Sequence, residues 1–578
     1  MGEPRGTAGV DLPAAAEQLA ARDRATLTVV VGAGSEANAD LVVAGPDVPA
    51  KAVLASASAL RPHAHLALAG NVSLGLLHGL GTRLDPVLED VRPGLAVYRQ
   101  EPPRRYVRQA GLSLTTSESG DEVLFARAPL FAQPLSAVAA RVARALAEPR
   151  TLVELAREAQ LSIATVAPFV HGLVARDLVR VTPRAGGSRP PVTVVIPAYG
   201  RPDATRACVR AVLAGRVLPE EVLVVDDASD PPLAPALAEL PRVRVLRLER
   251  NGGPARARNR GLDAARTEHL AFLDNDCVPD PEWLGMLLGR FDEAQVDVVG
   301  GRACSPTGPG LLTRYEAVRS PLDMGPEGGE VGLGRRVAYL PSCNLAARRS
   351  RLRRLGGFDE TLRLGEDVDL VWRVGDSGGR VLYEPRARVA HAPRTRLGAW
   401  LARRADYASS EGALQERHPG ARRELNLPVQ ALLLLAWLAW PTPGLALAFG
   451  AAALHALAAD RRRLRCLRRE LGWPALLASR MRALHSSLYH LSASATRYDS
   501  GWLLLAAAWL PWLRAPALAL TFYAAVVDGR TRARGGPWLP AFLALHLLDM
   551  LAYQVGLLRG CWVHRTLLPL RPRLVWRR

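Results

Sequence analysis

From Val192 onward the chain repeats one pattern: a short run of mostly Val, Ile and Leu, a helical segment, then another such run. The runs are VTVVIPA (192–198), EVLVVDD (221–227), VRVLRLE (243–249), HLAFLDND (269–276) and VDVVGG (296–301). Helical patterns lie between them at 203–214, PARARNRGLDAA (254–265) and PEWLGMLLGRFDEA (281–294). Strands that lack polar alternation are buried on both faces, so the pattern predicts an α/β domain with a parallel sheet covered by helices. Ligands of such sheets sit beyond the carboxyl ends of the strands, which makes the residues after each run the candidates for chemistry.

The first run ends in Pro197-Ala198-Tyr199, with neither G-x-G-x-x-G nor G-x-x-x-x-G-K-[ST], which argues against a dinucleotide site or a P-loop here. The second ends in Asp226-Asp227-Ala228-Ser229, carboxylates able to accept from a ribose hydroxyl or a base N–H; taken alone, a turn aspartate fits equally. The third enters Asn251-Gly252-Gly253-Pro254, where two glycines and a helix N-terminus suit an anion, and Arg258 follows one turn later. The fourth ends in Asp274-Asn275-Asp276, whose carboxylates can converge on one divalent cation. A D-x-D is common by chance, and its place after the other two constellations is what gives it weight. Downstream, Glu366, Asp367 and Asp369 crowd one predicted first helical turn, where mutual repulsion raises a pKa and the helix end opposes it. His391 closes a strand-like segment and can complete a metal shell or serve structure alone.

The rest of the chain divides by composition. Residues 1–103 form an unassigned α/β extension, with a G-x-G at Gly32 and Gly34 that reads as a tight turn or, less readily, a nucleotide site. Residues 104–183 carry amphipathic helical patterns and suggest a winged-helix-like module, with a helical domain lacking any ligand as the plainer alternative. RAGGSRPP (184–191) is a linker. After the domain at 192–415, residues 416–578 form a helical, membrane-associated region: Leu427 to Ala459 carries no charge, enough for a tilted span or a hairpin kinked at Pro441 and Pro443, and RRRLRCLRRE (461–470) suits a cytoplasmic leaflet. Later apolar runs at 501–513, 515–527 and 537–548 are short, bounded or broken by Arg514 and Asp549, and fit interfacial or buried helices as well as spans. No secretory signal is visible, so the catalytic part is expected on the cytoplasmic side. Six cysteines without a C-x-x-C pair argue against zinc modules and disulfide frameworks. The net charge of +19 comes almost wholly from arginine; with no basic recognition helix in sight, nucleic acid is not expected as a partner.

VIPAYGR, VVDDAS, NGGPARARN, LDND and GEDVDL occur in an order and spacing that resemble a family 2 glycosyltransferase with the GT-A fold. FDETLRLGEDVDLVWRV, VAHAPRTRLGAWLARRADYASSEGALQERHPG and LLDMLAYQVGLLRGCWVHRTLLPL are similar to the mycofactocin-system glycosyltransferases in particular. That resemblance implies a PqqD-like, peptide-binding winged module at 104–183. It also implies UDP-glucose as donor, Mg²⁺ or Mn²⁺ as cofactor and a peptide-derived small-molecule acceptor, premycofactocin, on which a β-linked glucose chain is built. The roles it implies put Pro197, Tyr199, Asp226, Asp227, Asn251, Gly252, Arg258, Asp274 and Arg404 at the donor. They put Asp276, Asp274 and His391 at the metal, and Asp367 with Glu366 at the acceptor, Asp367 as general base of an inverting transfer. Arg403 and Arg404 are expected over the diphosphate or at lipid headgroups of the cytoplasmic membrane surface, with a plain solvated basic face as an equal alternative. Two alternatives stand beside this: a membrane polysaccharide or lipid-linked sugar synthase, and a winged-helix regulator carrying an inactive transferase-like domain.

Overall fold

The computed structural model describes residues 105–575 except 110–111, 117–121, 128–129, 176–177, 183–188, 292–295, 464–471 and 532–535, and five strands ahead of them. The chain forms two units, residues 1–188 with 291–295 and residues 189–290 with 296–578. The G-x-G turn and most of the linker lie outside the described residues.

In the first unit, five strands form a sheet in the order Leu27–Val30, Leu41–Ala44, His65–Ala69, Leu95–Arg99, Asp85–Arg92. After it, Arg105–Arg108 pairs antiparallel with Val179–Thr182, and Leu112–Thr116, Glu122–Arg127 and Leu130–Pro134 form an antiparallel sheet. Three helices come next: Ala137–Ala145, Leu152–Ala159 and Ile163–Ala175. Ser136 caps the first, and Thr151 with Glu154 makes a reciprocal capping box on the second, so both starts are fixed locally. Their apolar faces meet on Leu155, Val166 and Val170.

The second unit is built on a nine-stranded sheet. Its elements run β1 (Val192–Ala198), α1 (Pro202–Leu213), β2 (Glu221–Asp226), β3 (Val243–Arg247), α2 (Gly253–Ala264), β4 (His269–Leu273), β5 (Cys277–Pro279) and α3 (Trp283–Arg290). Then come β6 (Val296–Cys304), α4 (Leu311–Arg319), β7 (Gly329–Glu330), β8 (Asn344–Arg348), α5 (Glu366–Asp376) and β9 (Arg380–His391). The strand order is β3-β2-β1-β4-β8-β6-β9-β5, with β7 beside β9. All seven residues of β1 are buried, and Gly261 of α2 lets that helix lie on the strand: a β-carbon there would stand 2.2 Å from Val195.

The parallel expectation holds for β3, β2, β1 and β4 and fails after them. Instead of VDVVGG extending the sheet beside β4, β8 enters between them, antiparallel to both. NLAAR has no β-branched residue, so its sequence offers no strand signal; burial of Asn344 through Ala347 is what makes it one. The cleft therefore opens where β1, flanked by β2 and β4, reverses the strand order.

The chain continues through α6 (Leu397–Ser409), α7 (Glu411–Arg417), α8 (Val429–Ala439), α9 (Pro443–Arg463), α10 (Trp473–Tyr498), α11 (Ser500–Trp509), α12 (Arg514–Thr531) and α13 (Leu539–Val563). The uncharged stretch is thus a helical hairpin broken at the two prolines, not one span. The apolar run that begins near Pro537 is not short: it continues through Asp549 into a 25-residue helix. Asp549 does not stop the helix because Arg404 Nε lies 3.0 Å from its carboxylate and Tyr315 donates to it at 3.0 Å. Gly556 and Gly560 bring α13 against α6, where β-carbons would stand 1.9 Å from the Ala405 carbonyl and 2.3 Å from that of Ser409. Among the described residues two helices, Pro443–Arg462 and Leu539–Val563, are long and apolar enough to cross a membrane; the most apolar stretch of the first is almost wholly exposed and that of the second nearly half buried.

Candidate active site

The carboxyl ends of β1, β2 and β4 open into a cleft of about 1880 Å³. Pro197 and Tyr199 line it, Tyr199 being 62% exposed. Asp227 also lines it and holds the next loop in place, its two oxygens accepting from the N–H groups of Gly252 and Gly253 at 2.8 Å each. Asn251, beside them, reaches the Asp227 carbonyl at 3.4 Å and faces the cleft.

Asp226 does not belong to this group. Its carboxylate is fully buried and accepts from Ser229 N at 2.9 Å, Leu233 N at 3.1 Å and Arg247 at 2.8 Å. Burial alone would raise its pKa, but these donors outweigh it and hold the carboxyl below its usual range. This corrects the contact with the sugar donor expected from the sequence: Asp226 ties β2 to the turn after it and, fully buried, does not line the cleft.

Arg258 is corrected in the same way. It is 3% exposed and forks between two acids, Nη2 to Asp274 at 2.7 Å and Nη1 to Glu366 at 2.8 Å. Burial would lower its pKa, yet Asp274 and Glu366 keep it raised, so it stays charged. Both Nη atoms are engaged by acids, so it links the strand that bears the D-x-D to the helix that bears Asp367. Glu366, pushed up to about 7 by burial and by Asp367 beside it, is likewise occupied.

Asp276 turns the other way, toward the mouth. Arg201 donates to its Oδ2 at 3.0 Å, and His391 Nε2 lies 3.5 Å from Oδ1. Pairing of β5 with β9 sets this approach, since Cys277 and His391 are register partners. Ligand atoms of Asp276, Cys277 and His391 all lie within 4.8 Å of one another. The hydrogen-bonded Cys343 thiol and burial hold Cys277 well above the usual thiol range, and sulfur is a soft donor poorly matched to a hard cation. A carboxylate oxygen and an imidazole nitrogen remain, a donor set that suits Mg²⁺ or Mn²⁺ with further ligands from substrate. Asp274, bound to Arg258, stands outside this group.

Asp367 lines the cleft from the first turn of α5. Ser342 donates to its Oδ2 from N at 2.9 Å and Oγ at 3.3 Å, and Val368 N donates to Oδ1 at 2.8 Å. Gly365 makes this turn possible with φ of 83°, and acidic residues at a helix start meet favourable backbone charge. Asp369 is buried on Arg373 and His418 and serves the fold.

Arg404 is the third correction. It lines the cleft but is 5% exposed and paired with Glu316 and Asp549. Its neighbour Arg403 packs 4.7 Å from the Tyr407 ring, lines the cleft and feels Asp274. Among the described residues Arg403 has no carboxylate partner. Helical phase separates the two: adjacent arginines point about 100° apart, and sequence alone does not say which faces in. Ser342 and Tyr339 were also missed, having no motif spacing to mark them, and Arg201, which closes VIPAYGR, was given no role.

The chain matches the family described as Glycosyl transferase family 2 over residues 193–355. It is 36% identical over 404 residues to the pre-mycofactocin glycosyltransferase of Mycobacterium tuberculosis, a match covering 68% of this chain and 84% of the relative. The succinoglycan biosynthesis protein ExoO of Rhizobium meliloti is 34% identical over 222 residues, covering 36% and 62%. A solved mannosyltransferase from Pyrobaculum calidifontis, in complex with GDP-Man and Mn²⁺, is 20% identical, with coverage of 59% and 90% and a TM-score of 0.33, a likeness too loose to say more.

Proposed function

Since the chain belongs to the family 2 glycosyltransferases, in their mycofactocin-system branch, we propose that it transfers glucose from UDP-glucose to premycofactocin with inversion, extending a β-linked chain. It is a nucleotide-sugar transferase, and the finer assignment is supported by one arrangement above all. Asp367, held by Ser342 and Val368, faces the same cleft as Asp276 and His391, and its Oδ1, with one donor on it, keeps a lone pair for an acceptor hydroxyl.

Asp227 and Asn251 hold the nucleoside end of the donor. Arg403 and Arg201 meet the diphosphate. Asp276 and His391 hold a divalent cation, which when bound supplies positive charge against the departing UDP. Asp367 accepts the acceptor's hydroxyl proton as its oxygen attacks the anomeric carbon from the face opposite UDP, turning an α donor into a β product. Asp274 and Glu366 act from behind, through Arg258. Residues 104–183 serve as the PqqD-like module that engages the peptide-derived acceptor.

Mass spectrometry of products from UDP-glucose and premycofactocin tests the reading. Successive hexose additions are expected; sugar found only on added polyprenyl phosphate would favour the lipid-linked synthase. Treatment with EDTA is expected to abolish transfer and Mg²⁺ or Mn²⁺ to restore it, whereas full activity in excess chelator would remove the cation from the scheme.

An exposed apolar face on the helical region supports a seat at the cytoplasmic membrane surface. Trp509 is 82% exposed, Leu447 75%, and Trp440 and Trp512 stack at 4.6 Å, an apolar surface with the aromatic character of an interface. Replacing Leu447 and Trp509 together by Glu is expected to weaken co-sedimentation with phosphatidylglycerol vesicles about tenfold. Unchanged sedimentation would exclude this face as the contact.

A further inference from the structure

Beyond Asp367 the cleft is walled by the helical region itself. Arg497 and Tyr498 end α10, Met550 and Tyr553 lie on α13, Glu411 opens α7, and all five line the cavity. Glu411 gathers the others: it accepts from Arg497 Nη2 at 2.8 Å, from the Tyr498 hydroxyl at 3.1 Å, and from the Tyr553 hydroxyl. The Arg497 guanidinium also lies 4.3 Å from the Tyr553 ring centroid. One edge of this arginine is fixed in that way, while its side chain remains 45% exposed. Among the described residues, no protein group accepts from its Nη1 or Nε.

An arginine already held by a carboxylate and an aromatic face loses little further entropy when it donates to a ligand. Glu411 balances its charge, so the open edge suits a neutral carbonyl or hydroxyl oxygen more than a second carboxylate. Tyr339 lines the same cleft, its hydroxyl donating to the Pro321 carbonyl at 3.5 Å. None of these groups bonds to Asp274, Asp276 or His391 among the described residues, which leaves them to the acceptor and not the nucleotide.

We propose that Arg497, positioned by Glu411 and flanked by Tyr339 and Tyr498, forms the acceptor-binding end of the cleft and takes a neutral ring-bearing molecule through its carbonyl or hydroxyl oxygens. This rests on reading the cleft as a sugar-transfer site. The C-terminal helices thereby complete the site as well as facing a membrane. The ring can be that of the peptide-derived acceptor or a sugar already attached to it, and two probes separate these.

Initial rates with UDP-glucose are measured for Arg497→Met and Arg497→Lys, against premycofactocin and against phenyl β-glucoside. Acceptor KM is expected to rise about tenfold in Arg497→Met, partly recovered in Arg497→Lys, with UDP-glucose KM within about twofold of wild type. A rise for premycofactocin alone identifies the peptide-derived ring; a rise for both probes identifies a sugar seat. Acceptor KM unchanged for both probes, or donor KM rising in step, overturns the proposal. A wild-type enzyme that uses phenyl β-glucoside and not premycofactocin would refute the acceptor named above, and the glucoside would still decide the role of Arg497.

Discussion

Asp367→Asn is expected to cut sugar transfer by about 10²–10⁴-fold without unfolding the protein, the usual contribution of a positioned general base. The amide keeps the shape and the bond from Ser342 N, which the carboxylate accepts at 2.9 Å, and gives up the one from Val368 N. What it loses is basicity at the atom facing the cleft. Because Asp367 is not among the groups that gather around Asp276, UDP affinity is expected to stay within about twofold. The measurement is kcat with saturating donor and acceptor, beside UDP titration and thermal melting of the same preparation. A variant that turns over within about threefold of wild type would remove Asp367 from the chemistry; one that also loses UDP binding would show that its role lies in the nucleotide site.

Much of the donor end was legible in sequence because parallel strands announce themselves. Runs such as VTVVIPA have one structural use, and the residues at their carboxyl ends must face the cleft. That rule located Asp227, Asn251, Asp274 and Asp276. It did not say which of two adjacent aspartates turns inward, and Asp226 went to Ser229 and Leu233 while Asp227 faced the cavity. The same limit governs Arg403 and Arg404, where one residue of helical phase exchanges a cleft cation for a buried ion pair. β8 was hidden because its strand character comes from burial between β4 and β6 and not from its own residues. The acceptor wall was hidden for a different reason: Glu411, Arg497 and Tyr553 are far apart in sequence, and only the packing of α13 on α6 through Gly556 and Gly560 brings that helix to the cleft. An aspartate at position 549 looked like the end of an apolar helix until its partner, Arg404, was in place.

Arg258→Leu is expected to be the most damaging single change outside the reacting atoms. One guanidinium serves two carboxylates, Asp274 and Glu366, with its side chain 4% exposed. Removing it leaves two acids in a cavity with no cation between them, a loss of roughly 3–5 kcal/mol for a broken buried pair. Proton uptake limits the damage, because Glu366 already titrates at about 7 with Arg258 present. A carboxyl whose folded pKa is raised from 4.5 to about 7 contributes stability that is complete below 4.5 and is lost as pH climbs through 7. Wild-type stability should therefore fall across that window relative to Glu366→Gln, and Arg258→Leu should fall more steeply. Adding Glu366→Gln to Arg258→Leu removes one of the two stranded charges, so it should restore much of the melting temperature. Transfer should stay low, since Asp274 has lost the group that orients it. If the double variant melts no higher than Arg258→Leu, the two acids do not share the arginine in the way the 2.7 and 2.8 Å contacts indicate. If it regains transfer along with stability, Arg258 matters to folding alone and the link between the D-x-D strand and the helix of Asp367 has no part in catalysis.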